Sequence, residues 1–140
     1  MANEKFKAVP QTGSPYYPKV KYKDVIVDWA STAKEIELLI RACNPWPGAL
    51  TYYRNLMLRI LEVSWSPHSA GKPGEISIID GNLYVSASDY MLKINIIESP
   101  KEGIFSGLRF ASFCTTRSGE MFQNLAEFMK PEDLNRIVKN

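Results

Sequence analysis

The 140-residue sequence is poor in the groups that carry metal, redox or nucleophilic chemistry: it has two cysteines and one histidine. Cys43 and Cys114 lie far apart with no Cys-x-x-Cys spacing. They read as reduced, packed thiols of a cytoplasmic protein rather than a disulfide or a metal site. His68 stands in the turn-like Ser66-Pro67-His68-Ser69, with no nearby Asp or nucleophile arranged to orient it, and is expected to be a loop residue without a role. No apolar run approaches the roughly 18 residues of a membrane helix, and the polar Met1–Lys7 stretch does not read as a secretory signal. A phosphate-cradling glycine loop and paired carboxylates in a catalytic context are also missing. Little is left for an enzyme to work with.

What is present suits a small, well-cored module: 45% hydrophobic residues and 11% aromatic. The net charge of +2 is unevenly spread. Residues 1–23 hold Lys5, Lys7, Lys19, Lys21 and Lys23 against Glu4 alone, whereas residues 24–140 hold 12 basic and 14 acidic groups, a net −2. The positive charge is in the lead-in. In an extended segment Lys19, Lys21 and Lys23 would share one side, with Val20 and Tyr22 on the other, which makes them the candidate phosphate contacts.

Residues 1–18, rich in Pro, Gly, Ser and Lys, read as a flexible or extended arm. Asp24–Trp29 reads as a short strand. Thr32 and Glu35 have capping-box spacing, and Ala33, Ile36, Leu39, Ile40 and Cys43 recur at helical intervals, which predicts an amphipathic helix over 32–42. Leu50–Tyr53 and Met57–Trp65 flank Arg54-Asn55, and 75–79 and 83–86 flank Asp80-Gly81-Asn82; both read as hairpins. Pro67–Pro73 reads as a loop, 91–98 as a strand, and 106–113 as a short helix. Met121–Met129 and the stretch from Pro131 read as two further helices. Five or six short strands at such spacing imply a small closed sheet.

Between the helix and the first hairpin lies the most constrained stretch, Asn44-Pro45-Trp46-Pro47-Gly48-Ala49. Asn44 precedes a proline and must leave the helix, the two prolines fix their own φ, and Gly48 permits a positive φ. Asn44, Pro45, Trp46, Pro47 and Gly48 are expected to form a structural loop. Trp46 is read as a plug over the barrel end in preference to a ligand-stacking residue. Arg41 suits the helix C-terminus and is the alternative phosphate contact. The seven tyrosines could offer stacking faces, but on strands they read as half-buried barrel residues.

This loop, together with Tyr17-Pro18-Lys19, Val27-Asp28-Trp29, Gly71-Lys72-Pro73-Gly74-Glu75 and Ile79-Asp80-Gly81, resembles the C-terminal domain of folate-dependent formyltransferases of the methionyl-tRNA type. The resemblance implies an OB-like β-barrel preceded by one helix, over residues 19–113, with residues 114–140 as a helical tail that packs on the barrel or docks a partner. It further implies a chain that is not itself an enzyme. The family's catalytic Asn, His and Asp, and formyltetrahydrofolate, belong to a separate doubly wound domain, so no cofactor and no metal is expected here. The implied partners are that catalytic domain, in cis or in trans, and tRNA held by Lys19, Lys21, Lys23 and Arg41; no membrane is expected. A small-molecule formyltransferase and a stand-alone interaction module are the alternatives. Whether Met1 is a natural start is not legible.

Overall fold

The computed structural model describes residues 25–44 and 46–123. Helix α1 spans Ala33–Cys43, and its first turn is closed by reciprocal bonds: Glu35 N–H donates to Thr32 Oγ1, and Thr32 N–H to Glu35 Oε1. The expected capping box therefore forms. The apolar stripe Ala33, Ile36, Ile40 and Cys43 is buried, and the helix packs chiefly on the long second strand.

Six antiparallel strands follow: β1 Ala49–Tyr53, β2 Leu56–Ser69, β3 Ile76–Ile79, β4 Asn82–Ser86, β5 Tyr90–Ser99 and β6 Gly103–Ser106. The hairpin turns fall where the sequence predicts, at Arg54-Asn55 and Asp80-Gly81, with positive φ at all four residues. The path runs β1-β2-β5-β4-β3. β5 is the hub. Its first half pairs with β4 and its second half with β6 on the same edge, while β2 lines its other edge.

Helix α2, Gly107–Cys114, is N-capped by Ser106 and ends at Thr115 in the left-handed region. Gly107 lies so close to the Ile94 carbonyl that a Cβ there would collide with backbone, so only glycine lets α2 start against β5. Phe110 enters the core.

Four expectations give way. The strand over Asp24–Trp29 reduces, in its described part, to a single parallel bridge between Ile26 and Leu50, because Asp28 turns the chain into α1 by accepting the Ala30 N–H. The loop over Pro67–Pro73 is partly strand: β2 runs to Ser69, and Pro67 sits at the register shift between Trp65 and Ser69, where no ladder donor is needed. β6 was not expected. Finally, residues 115–123 are not part of a helical tail. The rest of the helix expected over Met121–Met129 and the one expected from Pro131, like the arm over 1–18, lie outside the described residues.

Residues 119–123 close the sheet. Gln123 and Tyr52 exchange backbone bonds of 2.8 and 2.9 Å at the β1 edge. At the β3 edge Ile76 N–H donates to Glu120 O at 2.7 Å, Gly119 N–H to Ile76 O at 2.8 Å, and Phe122 N–H to Gly74 O at 2.8 Å. One short segment thus satisfies both free edges, which turns an open sheet into a barrel. Phe122, buried, meets Tyr53 edge-on at 5.3 Å between centroids and Trp29 at 5.9 Å.

Candidate functional site

The loop after α1 is fixed at three points, two on β2 and one on the end of α1. Asn44, extended as a residue before proline must be, donates through Nδ2 to Leu61 O at 2.8 Å. Gly48 N–H donates to Cys43 O at 2.9 Å, and Arg59 Nε to Pro47 O at 2.8 Å. Gly48 has φ +84°, and a Cβ on it would stand 2.8 Å from Arg59 Cδ. Glycine here lets the Arg59 stem pass beneath the loop. The Trp46–Pro47 peptide is cis; Pro45 is outside the described residues.

Trp46 is not the expected plug. It is 56% exposed, while Pro47 and Gly48 are the buried residues of the loop. The indole that fills the barrel is Trp29, 2% exposed, whose Nε1 donates to Thr51 Oγ1 at 3.0 Å. With that space taken, the loop turns its backbone inward and its indole outward.

Arg41 lies on the exposed side of α1, in the last turn as expected, and makes a 2.6 Å ion pair with Glu37. Lys19, Lys21 and Lys23 are outside the described residues. The described chain begins with a short parallel contact to β1. Leu50 N–H donates to Val25 O at 2.7 Å and Val27 N–H to Leu50 O at 2.9 Å, in parallel sense. Parallel pairing means that Val25–Val27 runs in the same direction as β1, with Val25 toward its Ala49 end.

Arg59 went unnoticed in the sequence, although a signal existed. A two-residue turn at Arg54-Asn55 sets Tyr53 opposite Leu56, and counting outward puts Arg59 opposite Leu50, beside the loop.

A second polar cluster ties the closing segment down. Arg54 grips Glu120 with two bonds, Nε to Oε1 at 2.7 Å and Nη2 to Oε2 at 2.6 Å, and donates through Nη1 to Cys114 O at 2.7 Å at the end of α2. Tyr53 Oη bonds Thr116 Oγ1 at 2.9 Å and donates to Glu120 Oε1 at 3.1 Å. The Arg54 guanidinium holds the Glu120 carboxyl below its usual range. Burial pushes the Tyr53 phenol up to about 12, with the Glu120 charge adding to it, and burial likewise raises the Cys114 thiol. These shifts belong to a clasp between β1, α2 and the closing segment.

His68 is in β2 rather than a loop, half-buried and edge-on to Tyr84 at 5.3 Å. An open groove of about 400 Å³ beside α2, between Ile78, Leu108, Ala111 and Thr115, is lined without a titratable side chain. Among the described residues no group of three or more His, Cys, Asp or Glu is placed to hold a metal ion, and no helix is long and apolar enough to cross a membrane.

The helix, the loop and the six strands all lie within one family match. A family profile described as the C-terminal domain of formyl transferases matches residues 19–113, and the chain belongs to that family. Its curated relatives include the methionyl-tRNA formyltransferase of Streptomyces avermitilis, 33% identical over 93 residues, which are 64% of this chain and 30% of that protein. Another is the methionyl-tRNA formyltransferase of Acidithiobacillus ferrooxidans, 30% identical over 126 residues, covering 84% of this chain and 39% of that protein. The chain thus spans well under half the length of these relatives. A match to 84% of the chain is more than residues 1–113 could supply, so likeness to this relative continues past Phe113, where the sequence reading ended it. Among solved structures, HypX from Aquifex aeolicus aligns with 22% identity and a TM-score of 0.60 over 83% of this chain and 21% of that one. A second HypX structure, in complex with tetrahydrofolic acid, aligns with the same TM-score at 21% identity, covering 83% of this chain and 22% of that one. Likeness at this level speaks to fold.

Proposed function

We propose that this chain is the non-catalytic, substrate-positioning domain of a methionyl-tRNA formyltransferase, holding the tRNA while a separate folate-dependent domain transfers the formyl group. The observation that carries the reading is the shared identity of its curated relatives, methionyl-tRNA formyltransferases all longer than the matched segment. The charge distribution supports it: residues 1–23 carry five lysines against Glu4 alone. Lys19, Lys21, Lys23 and Arg41 contact phosphates, and formyltetrahydrofolate binds the catalytic domain. Lysine–phosphate contacts act through counterion release and are salt-sensitive.

The test is tRNA affinity against salt concentration for the wild type and the triple variant K19A/K21A/K23A. The slope falls by up to about three units in the variant, with an unchanged melting temperature. Identical slopes would refute the assignment of these lysines. The net −2 of residues 24–140 favours the second reading, the C-terminal domain of a small-molecule formyltransferase or an interaction module. Absence of tRNA binding by the wild type at low salt would select it. Formyl transfer by the purified chain alone would overturn the non-catalytic role, since proximity and acid–base catalysis need groups this domain is proposed to leave to its partner.

A further inference from the structure

The segment that closes the barrel has two unequal halves. Its far half is anchored by a side chain: Phe122 is buried against Tyr53 and Trp29, and Phe122 and Gln123 bond to the Gly74 and Tyr52 backbone. Its near half has no such anchor. From Thr115 to Met121 no side chain is fully buried, and residues 115–120 are held chiefly by polar contacts. Ile76 N–H donates to Glu120 O, Gly119 N–H to Ile76 O, and Ile78 N–H to Ser118 Oγ. Stretches with few buried apolar contacts open at a lower free energy than the core.

The catch on this near half is one carboxylate. Glu120 accepts four bonds: from Tyr53 Oη and Arg54 Nε on Oε1, and from Arg54 Nη2 and the Arg117 N–H on Oε2. Arg54 at the same time donates to the Cys114 and Thr115 carbonyls. A bidentate pair inside such a network resists opening more than an isolated surface ion pair does. The hinge pulls the other way. Thr116 N–H bonds Ala111 O and Thr115 N–H bonds Ser112 O, the two bonds of a Schellman cap, which puts Thr115 where glycine is the usual residue. At φ 51° and ψ 48° it is a β-branched residue in the left-handed region. Opening relieves that strain and breaks the charged catch.

We propose that residues 115–120 form a latch that opens while the barrel stays folded, turning at Thr115, with the Glu120 carboxylate as its catch and Phe122 as its fixed end. Opening takes the backbone and hydroxyl partners from Ile76 and Ile78, so the β3 edge becomes available for pairing. It also carries Thr115 and Thr116 away from the groove beside α2, which Ile78 and Leu108 line as well. Ile78 belongs to both, so edge and groove join into one surface that the closed latch conceals. The device does not depend on the tRNA reading.

Native-state hydrogen exchange of the full chain at low urea reads the latch directly. The reporters are the Ile76, Ile78 and Gly119 amides; Phe122 and Gln123 report the anchored end, and Leu92 and Lys93, paired on both edges of β5, report the core. In wild type the three reporters exchange together through an opening that depends little on urea, while the others follow global unfolding. E120A speeds the reporters about 5-fold, the upper end for an exposed ion pair. T115G slows them roughly 2- to 30-fold, because glycine sheds the left-handed strain and returns part of that gain as chain entropy. Reporters that share the protection and the urea dependence of Leu92 and Lys93 in wild type would overturn the proposal. So would unchanged reporters in E120A, or faster ones in T115G. T115G melts no lower than wild type, so its reporters decide the matter even if E120A does not fold.

Discussion

Replacing Phe122 by Ala tests whether the barrel depends on a segment beyond the residues matched by the family profile. The ring is 1% exposed and packs on Tyr53 and Trp29, and the backbone on either side of it bonds to β1 and to Gly74 at the β3 edge. Truncating a buried phenylalanine to alanine costs about 3–5 kcal/mol, the lost transfer energy plus the cavity left behind. A domain of this size shifts by about 3 °C per kcal/mol, so the melting temperature falls by roughly 10 to 15 °C. F122L, which refills most of the volume, recovers more than half of the loss. A chain ending at Phe113 leaves the β1 and β3 edges without partners and does not melt cooperatively. Circular dichroism melts of the four proteins decide the matter. If F122A melts within 3 °C of wild type, or the shortened chain unfolds as cooperatively as the full one, residues 119–123 are an ornament on the barrel and the closure argument is wrong.

The clasp at Arg54 gives a pH dependence whose sign follows from the lowered Glu120 carboxyl. Its contribution is fully present above the ordinary carboxylate value and is lost as pH falls through the folded one, so E120Q flattens the acid limb of stability below about pH 4.5. With Arg54 43% and Glu120 26% exposed, solvent screening limits the pair to about 1 kcal/mol or less; identical acid limbs in chemical denaturation would refute it. Tyr53 acts at the other end of the scale. Its raised phenol keeps the fold favoured below pH 10 and withdraws that support between about 10 and about 12, so Y53F removes an alkaline loss of stability that the wild type shows. Gly48→Ala forces a left-handed residue against Arg59 Cδ and costs about 1–3 kcal/mol; a denaturation midpoint equal to wild type would show that the Arg59 stem moves aside freely.

How far the sequence could be read is clearest at the loop. Its existence, its position between helix and strand, and its need for glycine at position 48 all followed from local dihedral restrictions, which act within a residue or two. The direction of Trp46 did not. A hydrophobicity argument sends any tryptophan inward, and only the placement of Trp29, Tyr53 and Phe122 shows that the space is occupied. Arg59 lay between these cases: its place follows from hairpin register, but its bond to Pro47 requires the loop to fold back over it.

The same division runs through the whole chain. The capped helix, both tight hairpins and the alternating strands were settled by the sequence itself, because caps, turns and periodicity are governed by neighbours within a few positions. Barrel closure was settled only by tertiary structure. Glu120–Gln123 carries no strand signal, and its apolar spacing toward Met129 suggests a helix. Two sheet edges left without backbone partners outweigh that weak preference, since each unsatisfied edge group would cost more than a few residues of helical propensity return.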